Sequence, residues 1–296
     1  MVKISRDYAI YQMWKGNPSA AEVGWGEIIR FETYDCFHNQ LLNGWKEIDR
    51  ARENPATGPV FIKDVHPGDM LRVDILQIEL GPLGVIESLP GGGCLGQEIP
   101  VPRAKTVEVK GETAYYKENL LLKIAPMVGV IGVAPKEEKI STMIPGLHGG
   151  NMDCTAIGVG STLYLPVQVE GALLALGDLH ARMGCGEVGM SGLEIEGAVT
   201  VKVSAQRQWN RHYPIVIREG RLIVIASGTT LDEACGSATR YLYNFLTEVA
   251  GIADADAVAL MTIAGDCEVC QVVNPLKTMS MSFPLELLEA AGWSYA

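Results

Sequence analysis

Short segments in which apolar and polar residues alternate, each cut off by glycine, proline, asparagine or aspartate, dominate the first two hundred residues. EIIRFETYD, GPVFIKDV, MLRVDILQIEL, TVEVKGETAYY and AVTVKVSA are examples. A side-chain period of two places all the apolar residues of such a segment on one face, which is the pattern of a half-buried strand. With 33 glycines and 15 prolines, the punctuation leaves little room for long helices there. LPGGGCLG (Leu89 to Gly96) and IPGLHGGN (Ile144 to Asn151) read as loops.

The pattern changes after about residue 205. TLDEACGSATRYLYNFLTEVA, Thr230 to Ala250, carries one apolar stripe through Leu231, Ala234, Ala238, Tyr241, Leu242, Phe245 and Val249. Thr230 stands at its N-cap, and Asp232 and Glu233 lie in the first turn. ADADAVALMTIAG, Ala253 to Gly265, supplies a second, shorter helix. VQVEGALLALGD, Val167 to Asp178, holds a compact apolar run and is expected to form a short helix between strands. The fold class is therefore mainly β with an α+β C-terminal part. The expected division is a β-rich domain at residues 1–210 that carries most of the site, and a smaller α+β domain at 211–296. A doubly wound nucleotide fold is disfavoured, because strands do not alternate with helices and no GxGxxG opens a helix after a strand.

Charge and cysteine usage narrow the function. A formal net charge of -11 argues against a phosphate-backbone partner, so no nucleic acid is expected. The N-terminus lacks a signal-peptide apolar core, and the longest apolar runs are too short to span a bilayer, so the expectation is a cytoplasmic protein without membrane attachment. Seven cysteines without a regular framework fit a reducing compartment. Cys267 and Cys270 form a lone CxxC in a strand-like run and read as structural thiols. The sequence has no GxSxG elbow, since GMSGL lacks the final glycine, and no Walker pattern.

Two polar knots stand out against this background. GDLHARMGCGEVG places Asp178, His180 and Glu187 within ten residues, and IPGLHGGNMDC holds His148, Asn151 and Asp153. Only five histidines occur in the chain. In an extended segment Asp178 and His180 project to the same side, whereas on a helix they would diverge by about 200°. One imidazole with two carboxylates is a mixed N/O donor set suited to zinc or another first-row divalent ion, or equally a hydrogen-bonded structural loop. DCFHNQ, Asp35 to Gln40, adds a third loop of similar chemistry, and three such loops can converge on a rigid sheet. The alternative is that Asp35, Asn151 and Asp153 satisfy turn backbones. His66 reads as a turn residue and His212 as a surface or core-edge residue. Cys36, Cys154 and Cys185 lie in the three loops and open a cysteine-nucleophile alternative. A non-catalytic small-ligand or metal-binding β-sandwich is the further one.

The run from Ser141 to Val188, with PGxHGGNxD followed by LYLPVxxxGALxxxGDxHAxxGxGE, resembles the central signature of the acetamidase/formamidase family. FETYDCFHNQ, NPATGPVFI, HPGDMLRVDIL and QVVNPLKT extend the resemblance over nearly the whole chain. It implies an amidohydrolase of short linear amides, such as acetamide and formamide, on a β-sandwich- and barrel-like fold assembled as a homo-oligomer, commonly a dimer. Matching positions are Asp35, Gln40, His148, Gly149, Gly150, Asn151, Asp153, Asp178, His180, Gly186, Glu187 and Glu194. The family often has glycines at His38 and Asn39 and an acidic residue at Cys185. The combined expectation is a divalent metal, zinc foremost with calcium as an additional ion, held among Asp35, Asp178, His180, Asp153 and Glu194. Glu187, His148 and Asn151 are expected to be catalytic, and Gly149, Gly150 and Gln40 to bind substrate.

Overall fold

In the computed structural model, which describes residues 1–294, 18 strands form one hydrogen-bonded network, with a separate two-stranded pair of Gln12–Met13 and Ile140–Ser141. The alternating segments become strands as their period requires. Ile28–Thr33 buries every second residue, because only one of its faces meets the core. Two long strands form the backbone of the sheet, Met70–Ser88 and Leu193–Gln206. They pair antiparallel from Glu194↔Val85 to Gln206↔Met70, with register shifts that bend them.

VQVEGALLALGD contradicts the expected short helix. Residues 170–173 form a turn, in which Gly171, Ala172 and Leu173 all have positive φ, and the apolar residues enter the strand Leu174–Arg182. Every residue of that strand but Arg182 is buried; it is an interior strand, paired with Met127–Gly132 on one edge and with Ala56–Ile62 and Leu193–Gln206 on the other, and Leu174, Leu176, Leu179 and Ala181 belong to the main core. A strand covered on both faces has no alternation to display, so its sequence resembles that of a buried helix.

Helix α1 (Leu231–Glu248) and helix α2 (Asp254–Ala264) lie where the periodicity puts them. Ala234, Ala238, Leu242 and Phe245 of the expected stripe are buried, joined by Leu246. Ala238, Leu242, Phe245 and Leu246 pack with Tyr164, Trp209, Tyr213 and Phe283 in a cluster separate from the larger core of the β-rich part. The strands Ile215–Arg218 and Thr162–Pro166 nevertheless pair across the expected boundary near residue 210. Thr230 Oγ1 accepts the Glu233 N–H at 3.1 Å, while Glu233 Oε2 accepts from the Thr229 N–H at 2.8 Å. Thr230→Ala is expected to lower stability by about 1 kcal/mol in urea unfolding, because the first turn loses a partner for an orphan donor.

Candidate active site

Leu174–Arg182 carries both Asp178 and His180, whose side chains meet at 3.4 Å. Asp178 has φ 55°, and opposite it Gly129 has no side chain. A Cβ there would stand 2.6 Å from both Asp153 Oδ1 and Asp178 Oδ2, so glycine is what lets the two carboxylates approach. Gly192 does the same for the imidazole, where a Cβ would lie 2.6 Å from His180 Nδ1. Asp153 follows the short strand Gly149–Asn151, Glu187 sits in the loop between Leu174–Arg182 and Leu193–Gln206, and Glu194 begins the latter strand.

These five residues converge in the interior. His180 Nε2 lies 3.2 Å from Glu194 Oε1, 3.4 Å from Asp178 Oδ1 and 3.9 Å from Asp153 Oδ1. None of the three contacts has hydrogen-bond geometry, and both imidazole nitrogens, Asp178 Oδ1 and Glu194 Oε2 are buried without a partner. Two donor groups arise, Asp153 with His180 and Glu187, and Cys36 with Asp178 and Glu194; within each, the atoms lie within 4.8 Å of one another. Such orphaned buried polar atoms are costly unless something binds between them.

Burial raises the proton affinity of most of these acids. Glu187 is pushed well above its ordinary range by burial and by Asp153. Glu194 is pushed to about 8 by burial and by Asp178. Asp153 is pushed to about 6, again by burial and by Asp178. Burial opposes the charged imidazole of His180, but Glu194 and Asp178 outweigh it and hold the ring well above its ordinary value. Burial also opposes ionisation of Asp178, yet the His180 charge leaves that carboxyl below the usual range. Asp153, Glu187, Glu194 and His180 therefore bind protons more tightly folded than unfolded. For each of them stability is present at low pH and is lost as pH rises through the folded value. The lowered Asp178 works in the opposite sense, but only in the acid range. The metal-free chain is expected to lose unfolding free energy between pH 6 and pH 8.5, measured by urea titration at each pH.

Several site residues expected from sequence are placed differently. Asp35 is fully buried; its Oδ1 accepts the Asn39 N–H at 2.6 Å in a turn while its Oδ2 has no partner, and it belongs to neither donor group. The donor its loop sends to the cluster is the neighbouring Cys36. Burial, with Asp178 and Glu196 among the nearby charges, lifts Asp35 to about 6. Gln40 is spent on its own loop, donating to Phe37 O and Asp49 O and accepting from Asp49 N. The Gly149 N–H is occupied by Gly146 O at 3.1 Å, so it is not free to receive an oxyanion. In the amide orientation that matches donors to acceptors, Asn151 Nδ2 donates to Asp178 Oδ2 at 3.1 Å and Asp153 Oδ2 at 3.2 Å, and its oxygen accepts from Asn54 Nδ2 at 3.0 Å. Its side chain thus bridges the two carboxylates. His148 is buried, burial lowers it to about 4, and its Nε2 has no partner. It borders a cavity of about 490 Å³ that Ile144, Leu147, Gln168 and Leu276 also line.

The cysteines bear on the nucleophile alternative. Cys36 is held protonated by burial and by the charges of Glu194 and Asp178, the reverse of what a thiolate nucleophile needs. Cys154 is buried within the large apolar core beside Cys270. Cys185 is exposed, 3.5 Å from Thr155 Oγ1. His38 and Asn39 have φ of 56° and 59°, a conformation that glycine adopts without cost. His38 stacks on Tyr34 and meets Arg52. His66 lies exposed against Glu170, and His212 packs edge-on to Tyr213. Sequence reasoning gave no ligand role to Cys36 and overlooked Asn54, Gly129, Gly192 and Asn274; the only signal for Asn274 was its place in QVVNPLKT.

Comparison with known proteins agrees with this architecture. The acetamidase crystal structure from Bacillus halodurans superposes with a TM-score of 0.97 at 41% identity, covering 99% of this chain and 100% of that one. A formamidase from Methylophilus methylotrophus is 24% identical over 301 residues, 77% of this chain and 74% of its own. An acetamidase from Mycolicibacterium smegmatis is 24% identical over 275 residues, 68% of this chain and 67% of its own. The chain spans between 61% and 74% of the length of the curated relatives it matches. The profile of the Acetamidase/Formamidase family matches residues 7–143 and 136–222. The chain therefore belongs to the acetamidase/formamidase family of amide hydrolases, which act on carbon–nitrogen bonds.

Proposed function

We propose that this chain hydrolyses short linear amides, formamide and acetamide among them, to ammonia and the carboxylate, using water activated at a divalent ion held by His180, Asp178 and Glu194. One observation carries the reading. His180 Nε2 faces Glu194 and Asp178 oxygens at 3.2 and 3.4 Å without hydrogen-bonding either, and tetrahedral ligands about 2.0 Å from a zinc ion stand roughly 3.3 Å apart. Asp153, 3.9 Å from the same nitrogen and in one donor group with it, would be a further ligand. When bound, such an ion supplies Lewis acidity, polarising the amide carbonyl and making water a nucleophile near neutral pH.

The chain's own residues supply the rest. Glu187, with its proton affinity raised by burial and Asp153, takes a proton from the attacking water and returns it to the departing ammonia. Asn151 holds Asp153 and Asp178 in register through its amide. His148, kept neutral by burial, can offer a hydrogen bond to the substrate from the side of the adjoining cavity. Because the described cluster is buried, it suits substrates of a few heavy atoms.

Chelation followed by dialysis is expected to abolish ammonia release from formamide and acetamide. Add-back of zinc, with calcium as a parallel arm, is expected to restore it. Full activity in a preparation verified as metal-free would exclude this mechanism, and alkylation that spares activity would set aside the cysteine alternative.

A further inference from the structure

The strand Asp266–Gln271 runs into a loop that leaves the C-terminal part of the sheet and enters the carboxylate cluster. Asn274 Nδ2 donates to Asp153 Oδ2 at 2.6 Å and to the Asn151 carbonyl at 3.1 Å. The outer oxygen of Asp153 is thereby engaged, and Oδ1 is the one that faces His180 Nε2 and Gly129. The loop is itself fixed from beneath by Gln271, which is fully buried. Gln271 Oε1 accepts the Val273 and Asn274 N–H groups, each at 2.9 Å, and its Nε2 donates to Leu276 O at 2.7 Å and Thr278 Oγ1 at 2.9 Å.

The same stretch grips the other side of the site. The Gly186 N–H donates to Cys270 O at 2.8 Å, and the Val272 N–H donates to Gly186 O at 3.0 Å, one residue before Glu187. Asp153 and Glu187 come from different loops, and their direct link is a carboxyl–carboxylate contact that exists only while one of them carries a proton. The 270–274 stretch, bonded to the Asp153 side chain and to Gly186 beside Glu187, fixes their separation independently of that proton.

We infer that Gln271–Asn274 is a clasp for the active site, and that Asn274 is a positioning residue which orients Asp153 and fixes its spacing from Glu187. The inference rests on the proposed reading of the cluster as a metal-dependent hydrolytic site. Asn274 meets this role because its amide is a neutral donor. An aspartate there would set a carboxylate against Asp153, and an alanine would leave Oδ2 free to turn inward. Partners that orient a metal ligand in this way typically matter by about 10- to 100-fold in affinity or activity.

The test uses the full chain with Asn274→Ala and the near-isosteric Asn274→Asp, reading zinc affinity by competition with a chromophoric chelator, kcat and KM for formamide, and far-UV circular dichroism. Both variants are expected to keep the wild-type spectrum, to bind zinc about 10- to 100-fold more weakly and to lose kcat by a similar factor with KM little changed. Should Asn274→Ala fail to fold, Asn274→Asp decides. Wild-type zinc affinity and kcat in a folded variant overturn the inference. A wild-type chain that is fully active without metal refutes the metal reading alone, and the clasp then stands or falls on kcat. A wild-type chain that binds zinc but releases no ammonia refutes the proposed activity, and the clasp is then read from affinity. Absence of both overturns both.

Discussion

Glu187→Gln is expected to lower kcat for formamide hydrolysis by about 10²- to 10⁴-fold, the range typical for removing a general acid–base group. The substitution keeps the shape of the side chain and removes its capacity to take a proton. Because burial and Asp153 favour the neutral form of Glu187 over the opposing charge of His180, the neutral amide should cost the fold little. The variant should therefore unfold at the same denaturant concentration as the parent, or a higher one. A kcat reduced by less than threefold would remove Glu187 from the proton path and move that role to Asp153, the neighbouring acid in the same donor group.

The second large effect is on stability. In the metal-free chain His180 is the cation among Asp153, Asp178 and Glu194. His180→Ala leaves these buried carboxyls facing one another, and removing one partner of a buried ion pair typically costs about 3–5 kcal/mol. The loss should appear in urea unfolding at neutral pH and shrink as the carboxyls are protonated at lower pH. The variant should also lose stoichiometric zinc, because the only nitrogen of the proposed ligand set is gone. A stability change below about 1 kcal/mol would show that the carboxyls already carry their protons and that the cluster is not ionic.

Much of the architecture was legible from local pattern. The alternation of Ile28–Thr33 and the stripe of α1 each encode one buried face, and that face is set by backbone period alone. The strand Leu174–Arg182 was not legible in the same way. Buried on both faces, its first half is an apolar run whose conformation depends on what covers it. The site divides along the same line. Asp178 and His180 could be paired from their spacing in an extended segment, and Asp153 and Glu187 from the chemistry of their loops. That Cys36 joins a donor group beside the buried Asp35, one of whose oxygens is taken by the Asn39 turn, could not be read from the order of the residues.

Composition and spacing by themselves determined the strand-rich class, the helices of the C-terminal part and the kind of chemistry gathered in the glycine-rich loops. Tertiary structure alone decided that Gln40 and the Gly149 amide are already spent, and that Asn151 bridges carboxylates. It alone decided that Asn274, more than a hundred residues from Asp153 along the chain, donates to that carboxylate. The physical reason is that periodicity and turn preference act over a few residues. Hydrogen-bond partners and buried charges are assigned by long-range pairing, which no local pattern records.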